Sequence, residues 1–185
     1  ELGYKGSHLD NTLQINASMY HYLYENIHGQ FAAQSFLGGT STSVIAYPES
    51  QTDGFEMEVI YMPQPNWLIG GNYSYTDARY SKELVDAFGN VGNIDVDNPN
   101  APGSLYSIKE REVPILNRKM ERIPGNKMSF YSNYTQEVSG GTIDYLVGFS
   151  WTDEILWNDS GLAMDISPAF SRLDLKATWK NNEGD

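Results

Sequence analysis

Cysteine is absent from all 185 residues, which excludes disulfides, thiolate metal sites and cysteine nucleophiles. No apolar run approaches the ~18 residues that a transmembrane helix requires, and mean hydropathy is −0.47. Helical spans are thereby excluded. Barrel strands are not, because they alternate faces and a hydropathy window averages the two away. Positive charge is scarce, with 12 Lys and Arg against 24 Asp and Glu. Such an acidic chain lacks the basic surface that displaces counterions from nucleic acid, so no nucleic-acid partner is expected. The sequence opens at Glu1 without the charged and apolar regions of a secretory signal, as it would after removal of a signal or as a section of a longer polypeptide.

Catalytic and metal patterns are missing too. No G-x-S-x-G nucleophile elbow occurs, and an outer-wall Ser–His pair would have only His21 at the right parity, with no serine specified beside it. No enzyme is expected. Asp95, Asp97 and Asn98 suggest a calcium loop, but Asn100 stands where an EF-hand needs glycine and Tyr106 where it needs the bidentate glutamate. His8, His21 and His28 fall in a turn, on one strand face and at a loop, without ligand spacing. Neither cofactor nor metal is expected.

What is abundant is tyrosine. The 13 Tyr and 4 Trp outnumber 7 Phe, which suits surfaces apolar at one end and wet at the other, as at membrane interfaces. The hydrophobic pattern has period two. Leu13, Ile15, Ala17, Met19, His21 and Leu23 oppose Gln14, Asn16, Ser18, Tyr20, Tyr22 and Tyr24. Phe55, Met57, Val59 and Tyr61 oppose Glu56 and Glu58, and Trp67, Ile69, Tyr73 and Tyr75 oppose Asn72, Ser74 and Thr76. Met128, Phe130 and Tyr134 oppose Ser129, Asn133 and Thr135. Ile143, Tyr145, Val147, Phe149, Trp151 and Ile155 oppose Thr142, Asp144, Ser150 and Glu154, and Leu173, Leu175, Ala177 and Trp179 oppose Arg172, Asp174, Lys176 and Thr178. These segments match the ~10 residues with which a tilted strand crosses a bilayer.

Connections alternate in length. Short turns are predicted at Gly6–Asn11, Pro63–Asn66, Ser139–Gly141 and Asn181–Asp185, and longer loops near Gln30–Thr42, Ser81–Gly125 and Asn158–Ser167. Short turns at one end and long loops at the other are the asymmetry of outer-membrane barrels, periplasmic and extracellular respectively. A loop as long as 81–125 is usually functional or disordered. Its second half predicts a hairpin with arms Leu105–Glu112 and Val113–Arg122. The reading is all-β: an antiparallel up-and-down transmembrane β-barrel, present in part.

At this point the order of segments resembles one family, the TonB-dependent outer-membrane receptors. Glu1-Leu2-Gly3-Tyr4-Lys5 resembles the family's E-x-G-x-K strand end, and Leu13–Ile27 (LQINASMYHYLYENI) its tyrosine-alternating strand. Gly54-Phe55-Glu56-Met57-Glu58 resembles the G-x-E-x-E strand, and Trp67–Tyr80 (WLIGGNYSYTDARY) is the most specific stretch. Arg122-Ile123-Pro124-Gly125-Asn126 leads into a strand with Tyr131 and Tyr134, and Ser171–Lys180 (SRLDLKATWK) resembles the strand before the penultimate hairpin. The resemblance implies a 22-stranded barrel around an N-terminal plug, of which residues 1–185 would supply about seven strands, with the plug, TonB box and final strands outside the chain. It implies uptake of a scarce ligand, by default an iron–siderophore complex, powered by the TonB complex through the N-terminal part. Cobalamin, haem, other chelates and oligosaccharides stay open. Outer-membrane lipid and lipopolysaccharide would surround the barrel.

Ligand contacts are expected at upper lumen-facing positions: Tyr22, Tyr24, Asn26, Thr76, Tyr80 and Arg172. Tyrosine and arginine combine contact area with directed hydrogen bonds. The plainer alternative is ordinary lumen lining, bonded to neighbours or plug. Lys109, Arg111, Arg118, Lys119 and Arg122 form a basic cluster suited to an anionic ligand or lipopolysaccharide phosphates. Interleaved Glu110, Glu112 and Glu121 suit a self-paired solvated loop instead. Rival readings are a passive porin and a soluble carbohydrate-binding β-sandwich. If the barrel reading holds, the chain expressed alone without detergent aggregates or unfolds without cooperativity, because its outer edges and apolar face are uncovered. A monodisperse detergent-free monomer with a sharp thermal melt would overturn it.

Overall fold

The computed structural model describes residues 1–34, 40–85, 91–92, 94–95, 112–113, 116–157 and 166–182. Its strands, in chain order, are β1 (Leu2–His8), β2 (Leu13–Gln34), β3 (Thr40–Gln64), β4 (Trp67–Tyr80), β5 (Leu84–Val85), β6 (Val91–Gly92), β7 (Ile94–Asp95), β8 (Glu112–Val113), β9 (Asn126–Val138), β10 (Gly141–Thr152), β11 (Ile155–Leu156), β12 (Ile166–Ser167) and β13 (Phe170–Asn181). The seven long ones form one antiparallel sheet in the order β1-β2-β3-β4-β9-β10-β13. Each pairs with the next long strand along the chain, so the sheet is the up-and-down meander that alternating turns and loops predict. No helix among the described residues is long and apolar enough to cross a membrane.

Directly opposed residues of an antiparallel pair share a face, so the register converts sequence parity into rows across the sheet. One row is Leu13–Tyr61–Ile69–Ser132–Val147–Leu175, and the next is Ile15–Val59–Gly71–Phe130–Phe149–Leu173. Above these stand Ala17–Met57–Tyr73–Met128–Trp151 and then Met19–Phe55–Tyr75. All the strongly apolar positions of the sequence pattern therefore lie on one face. Its side chains are uncovered: Leu175 is 70% exposed, Leu173 62% and Trp179 58%. Among the described residues the buried apolar side chains are Tyr47, Ala78, Tyr80 and Pro124. A soluble sandwich would hide the first set between two sheets. Here a single layer turns them outward.

From the Trp67 row to the Tyr75 row the apolar band runs about 27 Å along β4, or about 21 Å along the normal at a ~40° tilt, close to the ~25 Å band of outer-membrane barrels. The next outward row reads His21–Asp53–Asp77, so polarity reverses in a single step. Tyr61, Trp67 and Trp179 stand beside the short turns, while Tyr75 and Trp151 stand at the other end. Trp67 Nε1 donates to Ser132 Oγ at 2.9 Å, which satisfies the hydroxyl that interrupts the apolar rows.

Several boundaries differ from the sequence reading. Gln30–Thr42 is strand rather than loop on both sides of residues 35–39, with Gln30 opposite Val44 and Gln34 opposite Thr40. That ribbon lies beyond the rows of the apolar band, and its sequence carries no alternation to mark it. The first turn is displaced to residues 9–12, where Leu9, Asp10 and Asn11 all take positive φ (51°, 56° and 67°). His8 is consequently in β1, bonded to the Tyr4 hydroxyl at 2.7 Å, and His28 lies in β2 opposite Ala46. The hairpin predicted at Leu105–Arg122 does not form where it is described. Glu112–Val113 pair with Ile94–Asp95, Lys119 bridges to Arg79, and residues 105–111 lie outside the described residues.

Glycine on the inward face makes room for tyrosine. Tyr20 and Gly54 are directly opposed, and the Tyr20 ring lies over Gly54 so closely that an added Cβ would overlap it. The hydroxyl thereby reaches Thr76 Oγ1 on β4 at 3.3 Å, clasping three strands. Tyr131 covers Gly70 in the same way. At Gly141 an added Cβ would instead strike the Lys180 carbonyl of β13. Gly54→Ala is expected to cost about 1 kcal/mol, since a ring end can swing aside. Gly141→Ala is expected to cost more, at least about 2 kcal/mol, because backbone must move. Thermal unfolding of the full-length protein in detergent checks the order, and equal losses would count against this packing account.

Candidate functional site

Within the depth of the apolar band the inward face is mostly polar, with Ile60, Leu68 and Leu146 the large apolar side chains among its rows. Its rows include Gly3–Ser18–Glu56–Ser74–Lys127 and Lys5–Asn16–Glu58–Asn72–Ser129–Ser150–Arg172. Asn16 Nδ2 donates to Glu58 Oε2 at 2.8 Å. A shallow hollow of about 460 Å³ opens here, lined by Lys5, Asn16, Ser18, Glu56, Glu58 and Asn72 among others.

Toward the long-loop end the inward face becomes aromatic. Tyr20, Tyr22 and Tyr24 follow one another up β2 with ring centroids 5.1 and 6.1 Å apart. Alternation places all three on one side, and each phenol leans on the next. Tyr22 is 37% and Tyr24 49% exposed, so these rings offer open faces and hydroxyls. The Tyr22 hydroxyl donates to Glu1 Oε2 at 3.3 Å. Thr52 and Ala78 share the Tyr22 row, and Ser50 and Tyr80 the Tyr24 row. Such a ladder can stack a ring and offer it hydroxyl donors and acceptors.

The six expected ligand contacts are not all brought together. Tyr22, Tyr24 and Thr76 lie on neighbouring rows of the inward face. Tyr80 shares their side but is only 6% exposed, its ring stacked on Tyr47 at 4.4 Å with Ile27 and Met120 packed around the pair. Asn26 departs from the alternation. It takes φ 56° and has no partner in the β2–β3 register, where Glu25 faces Glu49 and Ile27 faces Tyr47, opposite the stretch that contains Pro48. Proline has no N–H to complete a ladder there, and the pairing resumes in the same register at Ile27. Arg172 is far across the sheet on β13 and forks onto Asp174 Oδ1 at 2.8 and 3.0 Å. Tyr20 belongs to the ladder, and its parity two residues before Tyr22 was the signal that could have included it.

The basic cluster separates in the same manner. Residues 117–125 run along β4 above the end of β9, with Asn117 N donating to Tyr80 O, Met120 N to Ala78 O and Thr76 N to Gly125 O. Lys119 stands opposite Arg79 on the outward side, which puts its neighbours Arg118 and Met120 on the inward side. Lys109 and Arg111 lie outside the described residues. Asp95 is in β7 opposite Glu112, Asp97 and Asn98 are outside the described residues, and among those described no group of acidic or histidine side chains is placed to hold a metal.

A family model for the TonB dependent receptor-like β-barrel matches residues 1–184. The chain belongs to that family. The receptor sheet is thus part of an outer-membrane barrel of Gram-negative bacteria. Among solved structures it is similar to the siderophore receptor PiuA from Acinetobacter baumannii, at a TM-score of 0.63 and 18% identity, covering 97% of this chain and 21% of that one. The chain therefore spans about a fifth of that receptor's length. No curated protein matches it significantly.

At the rim above the ladder, Glu49 joins β3 to the start of the long loop. Lys82 Nζ lies 2.5 Å from Glu49 Oε2 and the Ser81 hydroxyl donates to Oε1 at 2.9 Å. Hydrogen bonds from Lys82 and then Ser81 hold the Glu49 carboxyl below the usual carboxylate range, and Glu49 holds the Lys82 ammonium above its own. A depressed acid stabilises above its unfolded pKa and loses that contribution as pH falls through the folded value. A raised amine stabilises below its unfolded pKa and loses it as pH rises through the folded value. The joint is accordingly intact from the ordinary carboxylate range up to the ordinary lysine range. In Lys82→Met the Glu49 titration, followed by carboxyl NMR, is expected to move upward. No movement would mean that the pair does not hold the rim.

Proposed function

We propose that this chain is a section of the barrel of a ligand-gated uptake receptor whose ligand is a scarce small molecule, an iron–siderophore complex in the first instance. The supporting observation is the exposed tyrosine ladder on the inward face at the long-loop end, where a ligand arriving from outside would first meet the wall. Similarity to a siderophore receptor points the same way. In this reading residues 81–125 form an extracellular loop, the seven strands belong to a 22-stranded barrel, and a plug occupies the lumen. The TonB complex powers passage through an N-terminal segment beyond this chain. Tyr22 and Tyr24 stack on the ligand, Thr76 supports the ladder through Tyr20, and Asn26 and Tyr80 shape the rim above. Arg172 lines the lumen lower down.

The neutral character of the ladder suits a ligand recognised by ring stacking and hydroxyl bonding more than by charge. Removing one stacked aromatic from such a site typically costs 2 kcal/mol or more. Tyr22→Ala and Tyr24→Ala in the full-length receptor are each expected to weaken binding of a ferric siderophore about tenfold or more, measured by fluorescence quenching. Arg172→Ala is expected to change it little. Unchanged affinity in both tyrosine variants would remove the ladder from the ligand site. Uptake by cells that persists without TonB would overturn the energy-coupled reading.

A further inference from the structure

Two hollows on the outward face stand one above the other on the same strands. The lower, about 380 Å³, lies within the apolar band and is walled by Val59, Ile69, Tyr73, Met128 and Phe130. It exists because Gly71 brings no side chain to the row between Val59 and Phe130. An added Cβ there would come within 2.9 Å of the Ser129 carbonyl oxygen, so the dent is built into the backbone approach of β4 and β9. The upper hollow, about 100 Å³, begins one row higher at Tyr75 and Asn126 and is lined by Asp77, Arg79, Lys119 and Asp153.

Tyr73 joins the two. Its ring walls the apolar hollow, and its hydroxyl donates upward to Asn126 Oδ1 at 2.7 Å. Asn126 Nδ2 in turn donates to Asp153 Oδ2 at 3.0 Å. An apolar slot at membrane depth therefore opens directly beneath a polar pocket at the water boundary. The pocket holds two cations side by side, because Arg79 and Lys119 are bridge partners on the outward face. Asp77 Oδ1 already accepts from Arg79 Nε at 2.7 Å, which leaves Lys119 the more available charge for an incoming anion.

We propose that this wall holds one phosphate-bearing lipid of the outer leaflet in a fixed place. One acyl chain lies along Gly71, and the phosphate sits at Lys119 with Arg79 beside it. A flat lipid-facing strand pair gives an acyl chain no preferred position. A dent of this size with a cationic head pocket above it does, since apolar burial and a charge-assisted contact then act on one molecule. The carboxylates of Asp77 and Asp153 beside the cations fit a head group that also carries hydroxyl or amine donors, as a phosphorylated glycolipid does. The assignment to the outer leaflet rests on the orientation proposed above, with residues 81–125 outside the cell.

The test uses the full-length receptor in detergent micelles, with added lipid A and native mass spectrometry to count retained lipid. Lys119→Glu and Val59→Phe are each expected to reduce retention about tenfold. Lipid A stripped of its phosphates is expected to bind Lys119→Glu and the parent alike. If Val59→Phe fails to fold, Ile69→Phe narrows the same slot from β4. Retention unchanged in the variants, or a Lys119→Glu loss that is equal with and without phosphates, would overturn the site. Orientation is read separately, by labelling Ser104→Cys in intact cells with a membrane-impermeant maleimide. Labelling only after permeabilisation would overturn the outer-leaflet assignment while leaving the tyrosine-ladder measurements to stand or fall by themselves.

Discussion

The interstrand hydrogen-bond ladder is the interaction on which the rest of this structure depends. In hydrocarbon an unpaired N–H or C=O costs several kcal/mol, so a strand can face lipid only if its neighbours satisfy it. Within the sheet the five inner strands, β2, β3, β4, β9 and β10, have that pairing on both sides across the apolar band, and β1 and β13 on one side each. The usual hydrophobic core is then dispensable. Tyr47 and Tyr80 make a small one, and it lies above the band, where water returns and apolar side chains again gain by burial.

The ladder also fixes what the two faces can do. With register set, each row is a depth, and polarity can change by depth as well as by face. Phe55 and Asp53 are two residues apart on the same side of β3, yet one belongs to the apolar band and the other pairs with His21 at 2.7 Å. On the inward face the depth coordinate runs from Glu56 and Glu58 to Tyr20, Tyr22 and Tyr24. Glycine opposite tyrosine does the mechanical work there. Gly54 and Gly70 let phenol rings lie across neighbouring strands.

Where each strand separates two media, its parity was legible from sequence. Leu13, Ile15, Met57, Phe130 and Leu175 could be assigned to one face before any coordinates, because a slip of one residue would put every apolar side chain in the lumen. The same logic explains the failures. The β2–β3 ribbon beyond Glu25 and Glu49 lies past the rows of the apolar band, and Gln30–Thr42 carries no alternating signal and reads as loop. Tyr80 has the right parity for a ligand contact, but its burial comes from Tyr47, beside the break in the ladder at Asn26, and from Met120 in the long loop. Neither contact is periodic. The pairing of Lys119 with Arg79 joins residues 40 apart by number and likewise leaves no local trace.

Tyrosine shows most clearly how position, rather than residue type, assigns the role. Tyr73 and Tyr22 are both amphipathic rings on adjacent regions of one sheet. Tyr73 has outward parity and lies one row inside the apolar boundary, so its ring belongs to the apolar face and its hydroxyl finds a partner, Asn126, at the rim. Tyr22 has inward parity and lies above that boundary, so its ring stacks on Tyr20 and its hydroxyl stays in reach of water and Glu1. Moving Tyr73 by one position along its strand would take its ring from the apolar face to the inward one. The same move at Tyr22 would carry it to the outward face above the step from Phe55 to Asp53, where that face is already polar.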